Sequence, residues 1–588
     1  MSGGVFRRCV ITASLLVACF SLQAMVVNMS DDLAPEAATG FQQKNLVKAS
    51  KHMVVAANPL AAQAGDEVLK RGGSAADAAI AVQLVLNLVE PQSSGIGGGA
   101  FTLYFDAQKN RLITLDGRET APAKATPTLF LDNNGKPLQF YDAVVGGRSV
   151  GTPGTVKLLE EMHQRYGKRP WSELFQPAIK LAEKGFIVSP RLASLIAKDQ
   201  KRLSRYPGTR QYFFDKKGQP LQAGTVLKNP EFARTLRLIA SKGSKAFYEG
   251  ELAERVVRTV REARGNPGVL SKKDLKNYQV KERTPVCSAY RQYSVCGMGP
   301  PSSGATTVGQ ILGILQSYDL ASLGSDNPES WRLFAGASRL AFADRARYLA
   351  DSDYVPVPVR GLLDSQYLAG RAKQLQSDQA LKTVKAGKPI WQHASLRADD
   401  QSIELPSTSH ISIVDAEGNA LSMTTTIENG FGSRLMVGGF LLNNEMTDFS
   451  FASHEDGTPI ANRVEPGKRP RSSMAPTIVM NKKGQPYMVI GSPGGSRIIS
   501  YVAKTLIAHI DWGMDIQKAI ALPHKLNPSG VYELEQDTEA ERLKPALEKL
   551  GYSIKVRELN SGLHGIVITE KGLEGGADPR REGVAMGI

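Results

Sequence analysis

At 588 residues, with 42% hydrophobic and 22% charged, the chain has the composition of a large globular protein, long enough for one multilayer core or several domain-sized units. That excludes a disordered or fibrous chain. The formal charge of +15 lies before residue 408, since from there to the end 19 basic residues face 21 acidic ones. The basic residues come as short pairs such as Lys216-Lys217 and Lys272-Lys273, without interleaved aromatics, which argues for solubility and against a nucleic-acid partner.

Residues 1–24 read as an export signal: Arg7 and Arg8 precede an apolar stretch from Cys9 to Phe20, too short for a permanent bilayer helix. The protein is therefore expected in the periplasm or outside the cell. Two processing routes compete. Cleavage after Leu22-Gln23-Ala24 leaves a soluble protein, whereas "LVAC" at 16–19 resembles a bacterial lipobox that would leave Cys19 lipidated, the one route to a membrane contact.

Next, "NPLAAQAGDEVLKRGGSAADAAIAVQLVLNLVEP" predicts two alanine-rich helices broken at Gly72-Gly73, with Ser74 as an N-cap. A strand pair follows in "AFTLYFDAQKNRLITLDGRE", turning at Gln108-Lys109-Asn110. The signal from 150 to 265 is mostly helical. In "TPVCSAYRQYSVCGMGPP", counting outward from a turn at Arg291-Gln292 sets Cys287 opposite Cys296, a geometry that suits a disulfide in an oxidising compartment. Two free thiols are the alternative; no His or third Cys lies near enough for a metal site.

Two further helices are predicted in "TTVGQILGILQSYDL" and "SWRLFAGASRLAFADRARYLA", then a polar stretch from 376 to 407. Beyond it come the paired strands "HISIVD"/"ALSMTTTI" and "PTIVMN"/"PYMVIGS", a helix near 497–511, a charged helix near 537–550, and short strands "SIKVREL" and "HGIVIT". Helices, antiparallel strands and helices again point to an α+β architecture around a sheet core. The eight histidines show no ligand spacing, so no metal is expected.

In "ELPSTSHISIVDAEGN" three hydroxyl residues, Ser407, Thr408 and Ser409, stand directly before a strand and after a polar segment. A chain cut there would expose a hydroxyl residue whose own α-amino group, with a pKa near ~7.7–8.0, serves as the base. Taken alone such clusters are usually caps or turns. The company it keeps decides the matter: "TSHISIVDAEGNALSMTTTIENGFGS", "LLNNEMTDFS", "GKRPRSSMAPTIV" and "GSPGGSRII" follow one another, preceded by "LDGRETAPAKA", "SSGIGGGAFTLYF" and "PPSSGATT" and closed by "GGADPRREG". This order resembles the γ-glutamyltransferases, Ntn-hydrolases that cleave themselves before a threonine.

The resemblance implies a four-layer αββα sandwich built jointly by a large subunit, residues 25–407, and a small subunit, residues 408–588, which pair as a heterodimer. It makes Thr408 the nucleophile, Ser407-Thr408 the scissile pair, and Thr426 the residue that orients the Thr408 hydroxyl. The backbone N–H groups of Gly494 and Gly495 become the oxyanion hole. Arg118 with Ser472 and Ser473 becomes the clamp for a donor α-carboxylate. Asp448, Glu445 and Glu428 become acceptors for its ammonium, Glu428 standing where some relatives have Asn. The implied substrates are glutathione and other γ-glutamyl amides, and the implied mechanism needs no organic cofactor. A cephalosporin or glutaryl acylase could use the same scaffold, and so could a binding protein that no longer cuts itself. The stretch 449–471 lacks the tyrosine that closes the lid loop of some relatives, which implies an open site biased toward hydrolysis.

Overall fold

The computed structural model describes residue 1 and residues 40–588 except 394 and 403. Apart from Met1, the segment read as an export signal, Cys19 included, lies outside the described residues. Among the described residues no helix is long and apolar enough to cross a membrane.

The alanine-rich run folds as helices Pro59–Lys70 and Ala75–Val89, the second opened by a capping box in which Ser74 and Asp77 satisfy each other's backbone N–H groups. Its small side chains are all buried, so the helix lies flat against a sheet. That sheet has seven antiparallel strands in the order Val584–Gly587, Met53–Ala56, Ser409–Val414, Ala420–Thr426, Gly99–Asp106, Arg111–Gly117, Lys281–Arg283. A second seven-stranded antiparallel sheet runs Val47–Ala49, Gly572–Ala577, His564–Thr569, Pro486–Gly491, Thr477–Met480, Tyr293–Gly297, Val286–Tyr290. Helices Gly304–Leu315, Arg497–Ile510 and Ile516–Ala521 cover its outer face. The result is four layers, αββα. Each sheet mixes strands from before and after residue 408, so neither half of the chain could complete either sheet alone.

The two central strands of the first sheet are buried on both faces, and their sequences show how. Ile411, Ile413, Leu421 and Met423 alternate with His410, Ser412, Ser422 and Thr424. The polar set faces the second sheet, where Ser412 Oγ donates to the His564 carbonyl (3.1 Å) and Ser422 Oγ to the Ile490 carbonyl (3.2 Å). Hydroxyls in that interface find partners, so their burial is tolerated.

The hairpin Val286–Tyr290/Tyr293–Gly297 pairs Cys287 with Cys296 in a disulfide, Cα atoms 4.0 Å apart. The polar stretch ahead of Thr408 has no helix or strand between Leu375 and Ser409 among the described residues. Among the strands unread in the sequence are Val47–Ala49, Met53–Ala56, Gly572–Ala577 and Val584–Gly587. The third is GLEGGA, whose glycines carry little strand propensity; neighbouring strands impose its conformation.

Candidate active site

The register Ser409↔Thr425, extended by one residue, sets Thr408 opposite Thr426 at the end of two central strands, both on the face that meets the second sheet. The chain is continuous here, and both hydroxyls converge on the peptide bond ahead of Thr408. Thr426 Oγ1 donates to the Ser407 carbonyl (2.9 Å) and receives hydrogen bonds from Thr408 Oγ1 (3.2 Å) and the Glu428 N–H (2.8 Å). Thr408 Oγ1 also reaches the Ser407 carbonyl oxygen, and Ser407 Oγ donates to the Gln92 carbonyl (2.6 Å). The Ser407 carbonyl is thus held at its oxygen by a side-chain donor, with a hydroxyl beside it.

Glycines bring backbone close to this point. A Cβ on Gly98 would lie 2.0 Å from the Thr426 carbonyl oxygen, which explains the glycine run in "GIGGGA". Gly495, at φ +58°, lines the same cavity, and a Cβ there would meet the backbone of Glu404 and Leu405 within 3.0 Å. Gly494, at φ +139°, does not line it.

The far end of the cavity is ionic. Arg118, fully buried, donates to Glu445, to Asp448 (2.7 Å) and to the Pro470 and Arg471 carbonyls (3.1 and 2.7 Å). Arg118 therefore faces the carboxylates assigned to the ammonium, with Ser472 and Ser473 next along the chain. Glu428 takes a hydrogen bond from Asn444 Nδ2 and sits at φ +75°, a left-handed backbone in which Asn is common and Glu is strained. Burial raises the Glu428, Glu445 and Asp448 carboxyls well above their ordinary range, with Arg118 pulling the last two back. Glu119, also buried, is pushed up to about 7 by burial against the pull of Arg118. Glu428 Oε1, Glu445 Oε2 and Asp448 Oδ1 have no hydrogen-bond partner. Unpaired buried carboxylate oxygens are costly, and an ammonium would satisfy them.

Thr408, Thr426, Ser407, Arg118, Glu428, Glu445, Asp448, Ser472, Ser473 and Gly495 all line one cavity of about 20 Å³, room for about one water. This uncut chain is not open at the site, and the plug is the linker itself: Glu404, Leu405 and Ser407 fill the space. Sequence reasoning missed Glu404, Arg345 and Glu119. Arg345, from helix Pro328–Tyr348, bonds Glu404 and Ser473 Oγ (2.6 Å). Ser303, inside "PPSSGATT", pins the backbone here by donating to the Ser472 carbonyl (2.7 Å). His410 is not placed to act on Thr408: its ring bonds Thr424 Oγ1 and Ser412 Oγ, both at 2.9 Å, and burial pushes its pKa well down, leaving it neutral.

Four αββα layers with a threonine heading an inner strand, its hydroxyl against the preceding carbonyl, define a hydrolase of the N-terminal-nucleophile class. The γ-glutamyltranspeptidase profile matches residues 61–588. The glutathione hydrolase proenzyme of Bacillus subtilis (strain 168) is 40% identical over 91% of each chain, and that of Escherichia coli (strain K12) 36% identical over 98% of this chain and 97% of its own. A cephalosporin acylase from Bacillus halodurans superposes with a TM-score of 0.81 at 28% identity, over 94% of this chain and 99% of its own. The chain belongs to the γ-glutamyltranspeptidase family, enzymes acting on γ-glutamyl bonds.

Proposed function

We infer that the chain is a proenzyme that cuts itself between Ser407 and Thr408 and then hydrolyses γ-glutamyl amides such as glutathione. The observation that carries this reading is the convergence of the Thr408 and Thr426 hydroxyls on the Ser407 carbonyl, in a cavity whose other end holds a guanidinium and unpaired carboxylate oxygens.

Thr408 Oγ attacks the Ser407 carbonyl carbon, the C–N bond breaks, and the hydroxyl proton passes to the departing nitrogen; water then hydrolyses the resulting ester, freeing the Ser407 carboxylate. The exposed α-amine of Thr408 takes the hydroxyl proton in each later turnover. Thr408 Oγ attacks the γ-carbonyl of the donor, the N–H of Gly495, which lines the cavity, donates to the oxyanion with that of Gly494 behind it, and the leaving amine carries the proton away. Water releases glutamate, or an acceptor amine takes the γ-glutamyl group. The tyrosine-free stretch 449–471 favours water. Dominant transfer to glycylglycine over glutamate release would contradict that bias.

An acylase reading draws support from the fold match to a cephalosporin acylase. Glu428, Glu445 and Asp448 weigh against it, because a glutaryl group brings no ammonium to their unpaired oxygens. Denaturing electrophoresis with intact-mass analysis tests the whole reading: the expected small fragment is the 181 residues from Thr408 to Ile588 (588 − 407). An uncut chain active on γ-glutamyl amides would overturn it.

A further inference from the structure

Three of the seven non-glycine residues at positive φ among the described residues fall in one short loop, 428–434: Glu428 at +75°, Phe431 at +66° and Arg434 at +61°. Side chains disfavour that backbone, and it persists only where the surroundings impose it. The loop starts two residues after Thr426 and its first residue is Glu428, so whatever imposes its shape also sets where that carboxylate stands. Part of the constraint is backbone pairing. The Phe431 N–H donates to the Gln92 carbonyl (3.1 Å) and the Ser433 N–H to the Leu442 carbonyl (2.9 Å). The Asn429 N–H donates to Asn444 Oδ1 (2.8 Å), and the Nδ2 of that same amide donates to Glu428.

Arg434 supplies the rest by closing the loop on itself. Its Nη1 donates to Asn429 Oδ1 (2.7 Å) and to the Gly432 carbonyl (2.6 Å), which ties the last residue of the loop to its second. The other edge of the guanidinium donates through Nε and Nη2 to the two oxygens of Asp199 (2.9 and 3.1 Å), which caps the end of helix Pro190–Lys198. Both side chains are buried, and neither lines the cavity. A planar fork with donors on two edges can grip a carboxylate and the loop together, which an ammonium cannot do. Asp199 precedes residue 408 and Arg434 follows it, so after scission the fork joins the two subunits.

We propose that Arg434 is a positioning residue for donor recognition: anchored on Asp199 and bonded to Asn429, it holds Glu428 in the left-handed conformation that aims its carboxylate at the donor's ammonium. This rests on the γ-glutamyl reading above. Without the fork the loop relaxes and Glu428 turns away, while Thr408, Thr426 and Arg118 keep their own partners. The loss therefore falls on donor binding and leaves the chemical step alone.

The test is a double-mutant cycle on mature enzyme with γ-glutamyl p-nitroanilide as donor. Arg434→Gln should raise KM about 10-fold with kcat within about twofold, and Arg434→Lys should recover part of the loss. Glu428→Gln should raise KM about 10- to 100-fold, and adding Arg434→Gln to it should raise KM no further, because both act through one carboxylate. Effects that multiply, or an Arg434→Gln loss carried by kcat, overturn the proposal. Glu428→Gln with the wild-type KM also overturns it, since Arg434 would then have nothing to place. Wild type inactive on the anilide would instead indict the functional reading. If Arg434→Gln does not mature, hydrogen exchange followed by mass spectrometry on uncut Thr408→Ala and Thr408→Ala/Arg434→Lys decides: faster exchange confined to 428–434 is expected, and unchanged exchange, or faster exchange throughout the chain, overturns the proposal.

Discussion

The two ends of one cavity are built by different physics. At the hydroxyl end, Ser407, Thr408 and Thr426 are uncharged, and their positions follow from the register of two adjacent strands in the middle of a sheet. At the ionic end, Arg118, Glu404, Glu428, Glu445, Asp448 and Ser473, with Arg345 behind Glu404 and Ser473, come from six separated parts of the chain and are held by charge. The hydroxyl end is therefore precise at little cost, because backbone ladders fix it. The ionic end is expensive and depends on every charge finding its partner.

The comparison breaks first at Thr408. Thr408→Ala should leave a single uncut chain with activity at background, while the ionic end and the fold persist; a normal melting transition beside one electrophoretic band would show the separation. The next largest effect belongs to the ionic end. Asp448→Asn removes one of the two carboxylates paired with buried Arg118, which should lower stability by about 3–5 kcal/mol, read from urea midpoints, and raise donor KM. Unchanged stability would mean that the pair is not held as a closed charge unit. Thr426→Ala then asks how much the hydroxyl end owes to one donor. Losing its hydrogen bond to the Ser407 carbonyl should slow self-cleavage about 10²- to 10³-fold, roughly 2.7–4 kcal/mol, measured as the half-time for the uncut band to disappear.

The same contrast governs what could be read from the sequence. The hydroxyl end was legible because it is local: a Ser-Thr-Ser cluster before an alternating strand, and a threonine run at the end of its hairpin partner. Helices 59–70 and 75–89 were legible for the same reason, through their caps and the Gly72-Gly73 break. Arg118, Glu445 and Asp448 were reachable only through family resemblance, since nothing local marks them as buried. Glu404 and Arg345 were missed. An acid in a polar stretch ordinarily faces water, and only the docking of that stretch against Arg345, Arg347 and Arg471 reveals otherwise. Glu119 sat beside Arg118 in a quoted motif, yet its burial follows from the close approach of Gly99, which a linear pattern does not show.

The smallest effect separates the two ends by the sign of a pH dependence. Under the hydroxyl end, His410 and His564 are buried between the sheets. Burial drives His564 down to about 3, with Lys44 and Arg581 pushing the same way and Asp578 opposing; His410, beside His564, is also well below its ordinary value. Below about 6.5 the unfolded chain takes up protons that the folded histidines refuse, so stability falls on acidification, by about 1.4 kcal/mol per pH unit per group. For His564 that window runs from about 6.5 down to about 3. At the ionic end the sign reverses: Glu428, Glu445 and Asp448 have raised pKa values, so the folded state keeps protons the unfolded chain gives up, and their contribution falls as pH rises above the ordinary carboxyl range. The wild-type profile sums the two, and the variant separates them. His564→Gln, measured by urea midpoint between pH 6.5 and 4.5, should lose about 1.4 kcal/mol per unit of the acid-side slope whatever its stability at neutral pH. An unchanged slope would place a charged imidazole between the sheets, and the support beneath Thr408 would then have to be ionic as well.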